Sequence, residues 1–344
     1  MSHPIDLAGI EPRIVATARY IPSTRLSPDT RIELHASTHR ARETVMQAVY
    51  ADTLRWRDSV APAATSSDSR SGAGFAAGGV VAAEPCLSLS DMALTAAQTL
   101  IAALPPAQTA PPDQIIVCAN SFEHDLALSC ACRLHHALGS NRSPFAIGLL
   151  HGVSPLMALD AAMALMAADT QLSTILIVAA ERWRAPFSRR VGALAVLSDG
   201  AAALLVARRP GPGWCVRHLS IQTPCGAYPL ATETNYVDTV TLAHVIGETC
   251  ARVELGPAEL DWIVPAAINP RLIHEVSVRC ALPAERVWAD EDAPGCFGVA
   301  DLPVRLDGLL RSIAPVSHQH MLVWSAGFQG QVGCALLEFC GDAP

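Results

Sequence analysis

His151 is the residue whose type and setting most directly suggest chemistry. It lies in Phe145-Ala-Ile-Gly-Leu-Leu-His-Gly-Val-Ser154, an apolar segment that runs into an Ala/Met/Leu-rich helix from Pro155 to Ala168. A neutral imidazole could act there as a general base toward a hydroxyl, amine or water, or could itself accept an acyl group. The plainer alternative has equal weight: the ring fills space and hydrogen-bonds a neighbour. Other groupings promise less. His135-His136 project in different directions on a helix, and His318-Gln-His320 precedes a strand in a surface turn, so neither is expected to hold a metal. Glu123-His124-Asp125 reads as a solvated loop. The eleven cysteines show no CxxC spacing, and Cys130-Ala-Cys132 is too tight for a zinc knuckle.

The elements that would position these groups follow from pattern. Ile14 to Ile21 alternates weakly and stops at Pro22, as an opening strand does. Residues 34–57 read as helical. Ala61 to Ala83 is rich in Ala, Ser and Gly, offers little to bury, and is expected to be a mobile loop. Ser90-Asp91 would cap a helix from Met92 to Leu104 that Pro105 and Pro106 end. Strands at 115–118, 145–150, 173–180 and 201–207 alternate with helices at 127–138 and 155–168. The order recurs beyond Ile221, with helices at 239–253, 270–280 and 301–313 and strands at 262–265, 287–288, 321–325 and 333–339. Alternation predicts a layered α/β fold with a largely buried sheet. Recurrence predicts a duplication, one half over residues 1–210 and the other over 211–344.

Composition sets outer limits. A chain of 344 residues exceeds the size at which one core stops growing. A net charge of −8 without a long basic run argues against a nucleic-acid partner. No uninterrupted apolar stretch reaches about 18 residues, so no membrane span is expected. Met1-Ser-His-Pro-Ile-Asp lacks a basic-then-apolar leader pattern, which suggests a cytoplasmic setting and reduced thiols.

Six segments then fall into one family's order. Val117-Cys-Ala-Asn-Ser121 through Leu138-Gly139 is similar to that family's strand and the helix ending in Leu-Gly. Phe145 to His151 resembles its Phe-Asp-x-x-Ala-Ala-Cys segment, and Leu197-Ser-Asp-Gly-Ala201 its Gly-Asp-Gly-Ala turn. Trp262-Ile-Val-Pro-Ala-Ala-Ile-Asn269 resembles the strand leading into His-Gln-Ala-Asn. Gly295-Cys-Phe-Gly-Val-Ala-Asp-Leu-Pro303 resembles Gly-Asn-Thr-x-x-Ala-Ser-x-Pro, and Ser325-Ala-Gly-Phe-Gln-Gly330 the closing glycine-rich turn. The family is the β-ketoacyl-acyl-carrier-protein synthase III group of the thiolase superfamily, and the resemblance runs roughly from Arg13 to Phe339. It implies a thiolase-like five-layered αβαβα fold made of two duplicated halves, a dimer, and a tunnel for an acyl thioester. It implies no tightly bound cofactor, with acyl-coenzyme A or an acyl-carrier protein as donor.

Members of that family use a Cys-His-Asn triad for decarboxylating condensation. On this sequence the three positions fall on His151, Ala266 and Cys296. The resemblance places His151 at the head of a buried helix, where the helix field disfavours an imidazolium. Ser154 is the fallback nucleophile, although capping or the helix surface is its simpler role. Cys296 is either a small buried hydrophobe or a relocated nucleophile with His151 as its base. Asn269, Ala266, Phe297 and Phe328 are the implied substrate-binding positions, Asn269 in a usually structural role. Arg182, Arg184, Arg189 and Arg190 could meet a carrier-arm or coenzyme A phosphate, or acidic carrier side chains, or form local ion pairs. Two functions follow as expectations. One is a divergent acyltransferase of specialised, polyketide or fatty-acid-derived metabolism that acts without the triad. The other is a non-catalytic subunit paired with a triad-bearing paralogue. The assembly would be a homodimer or a heterodimer accordingly.

Overall fold

The computed structural model describes residues 11–30, 79–121, 123, 127–184, 188–224 and 236–341. The helix expected at 34–57 and most of the loop expected at 61–83 lie outside the described residues.

The strands are β1 (Arg13–Tyr20), β2 (Arg25–Leu26), β3 (Val81–Ala82), β4 (Gln114–Cys118), β5 (Phe145–Ile147), β6 (Thr174–Glu181), β7 (Arg190–Val191), β8 (Ala195–Val196), β9 (Gly200–Ala207), β10 (Gly213–Gln222), β11 (Trp262–Pro265), β12 (His320–Ala326) and β13 (Val332–Cys340). One sheet runs β11-β12-β13-β10-β1-β9-β6-β4-β5. It is two sheets joined at an edge, because β1 and β10 pair only at Arg13↔Cys215 and Ile14↔Trp214. Each half repeats one pattern. In the first, β1–β9 and β9–β6 are antiparallel and β6–β4 parallel. In the second, β10–β13 and β13–β12 are antiparallel and β12–β11 parallel.

Helices complete five layers. α3 (Ser154–Ala168) packs against β4 and β6 on one side and β10 and β13 on the other. α6 (Asp301–Leu310) packs against β1 and β9, and against β11 and β12. These two helices form the middle layer. α1 (Leu89–Ala103) and α2 (Cys130–Leu138) cover the outer face of the first half. α4 (Thr239–Arg252) covers the outer face of the second, with α5 (Pro270–Arg279) packed on it. A helix between two sheets must be apolar around its circumference, which explains the composition of α3. His151–Ala168 is therefore, by length and composition, an 18-residue stretch able to cross a membrane, yet it is half-buried in the protein between the sheets. The stretch is interrupted by Asp160, and its placement between two sheets is that of a core helix, as the sequence suggested.

Other expectations shift locally. α1 is capped by Ser88, in a reciprocal box in which Ser88 Oγ accepts the Asp91 N–H and Asp91 accepts the Ser88 N–H. Ser90 and Asp91 thus lie inside the helix. Val81, Ala82 and Ala83 belong to no loop; they are fully buried, and β3 pairs with β2. Residues 287–288 make a single bridge to Ile263 instead of a strand. β5 ends at Ile147 and, with Phe145 36% exposed, is an edge strand among the described strands, where it has a neighbour on one side only.

The basic cluster is largely committed. Arg189 reaches both oxygens of buried Asp199, at 2.9 and 2.8 Å, and the Leu197 and Trp183 carbonyls. Arg190 pairs with Asp29. Breaking a buried pair leaves a bare charge and costs about 3–5 kcal/mol. Arg189→Met should lower unfolding stability by about that amount in urea titrations followed by tryptophan fluorescence. A loss under about 1 kcal/mol would class the pair with exposed bridges.

Candidate active site

The turn from β5 into α3 carries His151. It begins at Gly148 and passes through Leu149, Leu150 and His151 to Gly152. A Cβ on Gly148 would stand 2.5 Å from the Ala119 carbonyl oxygen, and one on Gly152 would stand 2.4 Å from Ser325 Oγ. Both positions need glycine for close approach. Between them Leu149 and His151 take φ of 65° and 50°. That left-handed conformation costs an L residue roughly 1–2 kcal/mol, and strain of this kind collects at functional turns.

His151 is partly buried, and burial pushes its titration below the usual 6.5, so the ring is neutral near pH 7. Its Nδ1 lies 3.0 Å from the Asn120 side-chain nitrogen. Asn120 Oδ1 in turn accepts the Leu149 N–H at 2.6 Å. On another side the ring meets Phe328, with centroids 4.9 Å apart and planes inclined by 46°.

Three buried carboxylates fix the surrounding loops. Glu181, at the end of β6, accepts the Ser121 N–H at 2.7 Å and the Val299 N–H at 3.3 Å. It thereby joins the Asn120 loop to the segment after Cys296. Asp301 accepts the Ala267 and Phe297 N–H groups and the Arg305 guanidinium. Asp199 accepts the Glu84 and Trp183 N–H groups beside Arg189.

The structure treats the sequence candidates unequally. His151 and Phe328 come together. Ser154 is fully buried as the first residue of α3; it makes no capping bond, and its Oγ has no partner among the described residues. Its expected capping or surface role is thus corrected: the middle layer closes over it. Cys296 is buried, its backbone bridges Leu197, and burial with Asp301 nearby pushes its thiol well above 9. Such a thiol is a poor nucleophile. Ala266 is buried at the end of β11 and offers no polar side-chain atom. Asn269 caps α5 through Arg271 N–H and donates to the Ala193 carbonyl, so its side chain is spent on structure. Phe297 is wholly buried in the core between the sheets. Glu123, expected in a solvated loop, is buried and accepts the Ser90 N–H at 2.6 Å. His124 and Asp125 lie outside the described residues.

Sequence reasoning assigned no role to Asn120, Glu181 or Asp301. The available signal was position, since each polar residue sits at or just beyond the end of a buried strand, or at a helix start, where open α/β sheets gather their sites.

Glu181 is raised from the usual 4.5 to about 7, first by burial and then by Asp199, against the two N–H donors. The folded chain therefore holds a proton that the unfolded chain releases between pH 4.5 and about 7. Stability from this group is full below pH 4.5 and falls as pH rises to about 7. Glu181→Gln should remove that slope in urea titrations across the window. Parallel slopes in both proteins would refute it.

Comparisons with known proteins agree with this architecture. Residues 250–339 match the family described as 3-oxoacyl-[acyl-carrier-protein (ACP)] synthase III C terminal. The β-ketoacyl-[acyl-carrier-protein] synthase III of Sodalis glossinidius is 29% identical over 167 residues, covering 43% of this chain and 52% of its own. The chain thus spans about half the length of the curated relatives it matches. Among solved structures, 3-oxoacyl-(acyl carrier protein) synthase III of Pseudomonas aeruginosa superposes with a TM-score of 0.67 at 18% identity, over 97% of this chain and 100% of the other. ChlB3, described as an acyltransferase, gives 0.70 at 17%, over 97% and 99%. Xanthomonas campestris OleA gives 0.67 at 15%, over 95% and 98%. The C-terminal segment thus matches the synthase III family over residues 250–339, and the chain as a whole shares the fold of these solved structures.

Proposed function

We propose that this chain is a divergent ketosynthase III-like acyltransferase of specialised, polyketide or fatty-acid-derived metabolism. It would move an acyl group from a carrier-protein or coenzyme A thioester to a second substrate. The observation that carries this reading is the strained turn at His151: two residues are held at positive φ to present a neutral imidazole. Strain held in a turn that ends on an imidazole is of the kind that collects at functional sites. The likeness to ChlB3 supports the reaction class. Decarboxylating condensation fits poorly, because Ala266 has no hydrogen-bonding side chain and the Cys296 thiol is buried.

We also propose a dimer through the edge of β5 that no described strand pairs. An unpaired strand edge seeks another strand, and beside it Phe145 is 36% and Leu149 73% exposed. Phe145→Lys with Leu149→Asp should convert a dimer to a monomer by light scattering after gel filtration. An unchanged mass would place any interface elsewhere.

The reaction is tested by incubating wild type, His151→Ala and Cys296→Ala with a panel of acyl-coenzyme A and acyl-carrier-protein thioesters, followed by intact mass and free-thiol release. Thioester consumption should fall at least about 100-fold in His151→Ala and persist in Cys296→Ala. No consumption by wild type across the panel would sink the enzyme reading and favour a non-catalytic subunit paired with a triad-bearing paralogue.

A further inference from the structure

The hydrogen bonds around Asn120 decide which nitrogen of His151 carries the proton. The Leu149 N–H can only donate, so the Asn120 atom 2.6 Å from it is the carbonyl oxygen. The other end of the amide, 3.0 Å from His151 Nδ1, is then the NH2 group, which also can only donate. Nδ1 must accept. In a neutral imidazole the proton then resides on Nε2. Protonating Nδ1 as well would set N–H against N–H, a second reason beyond burial for the ring to stay neutral. The lock is rigid, because Asn120 is followed by Ser121, whose N–H is held by buried Glu181 and whose Oγ accepts the Arg182 N–H. No hydrogen bond from the described residues reaches Nε2, and this atom is not among the buried unpartnered ones.

We propose that Asn120 is a positioning residue that locks His151 in its Nε2–H form, so that His151 meets an acyl thioester as a hydrogen-bond donor to the carbonyl oxygen. This rests on the acyl-transfer reading above. It replaces the general-base and acyl-acceptor roles, since both need a lone pair on Nε2. The reaction then balances without a protein base. A neutral amine on the acceptor adds to the thioester carbon, and the carbonyl electron pair moves onto oxygen, where Nε2–H stabilises it. Collapse expels the thiolate, which takes the proton lost by the new ammonium and leaves as thiol. Amine plus thioester gives amide plus thiol. The substrate class follows: an acceptor already nucleophilic when neutral, a primary amine in preference to an alcohol that must first lose its proton.

The test uses the full chain carrying 15N-histidine. Long-range proton–nitrogen correlation spectra would be recorded at pH 7, with His151→Gln to assign the ring among the twelve histidines. Wild type should show an unprotonated Nδ1 and a protonated Nε2. Asn120→Asp keeps an acceptor for Leu149 N–H but turns the second oxygen toward the ring, so the proton should move to Nδ1 and the titration should rise. Asn120→Ala should show a mixture of both forms. A protonated Nδ1 in wild type, or no change of form in Asn120→Asp, would overturn the lock. A dethia acyl-coenzyme A, with a methylene in place of sulfur, should shift the Nε2–H signal downfield; no shift at saturating analogue would overturn the donor role. These readouts need no turnover. A chain that shows the lock but consumes no thioester refutes the acyl-transfer reading while leaving the tautomer assignment in place.

Discussion

A buried backbone N–H must find an acceptor, and around this site the acceptors are carboxylates. Loops at the ends of parallel strands lose the ladder that satisfied them, and here they lie wholly or partly buried. Asp199 takes four donors, two backbone and two from Arg189. Glu181 and Asp301 each take two backbone N–H groups from segments far apart in sequence. Leaving one such group unpaired costs about 1–3 kcal/mol, so each loop has one good position. These acids act as fixed points, and everything near His151 is referred to them.

The same arrangement explains why one side chain in the site remains chemically available. Asn269 is used at both ends for capping and for tying down the Ala193 carbonyl. Ala266 offers no polar side-chain atom, and the Cys296 thiol is deeply buried. A low-dielectric wall with few polar groups strengthens whatever the imidazole does, because competing dipoles are few. Phe328 contributes to the wall and limits the swing of the imidazole.

Much of the fold was legible in the sequence, and for a physical reason. β4, β6, β9, β12 and β13 are buried on both faces and read as continuous apolar runs. α3 reads as apolar on all sides because a sheet lies on each. Strand ends and caps read less well: Ser88 and Ser90 are equally good caps on paper, and only packing puts Ser88 outside the helix. The site divides the same way. His151 stood out because an imidazole in an apolar run is conspicuous. Asn120, Glu181 and Asp301 did not, since their importance comes from backbone groups as many as 118 positions away, which local pattern does not encode. Cys296 had two readings by residue type, a small buried hydrophobe or a nucleophile, and only burial separates them.

The bend that carries His151 is built by its neighbours. Gly148 and Gly152 admit the close contacts, the Ala119 and Ser325 surfaces press from either side, and Asn120 grips Leu149 from above. Residue 151 pays the strain but does not create the shape. Position 151 is therefore a socket, in which the side chain can be exchanged with little effect on the scaffold, while a change at Gly148 or Gly152 would deform it. A chain built this way can alter its chemistry by a single replacement and keep its architecture, so the identity of the residue in the socket is a poor guide to the fold, and the fold an equally poor guide to the reaction.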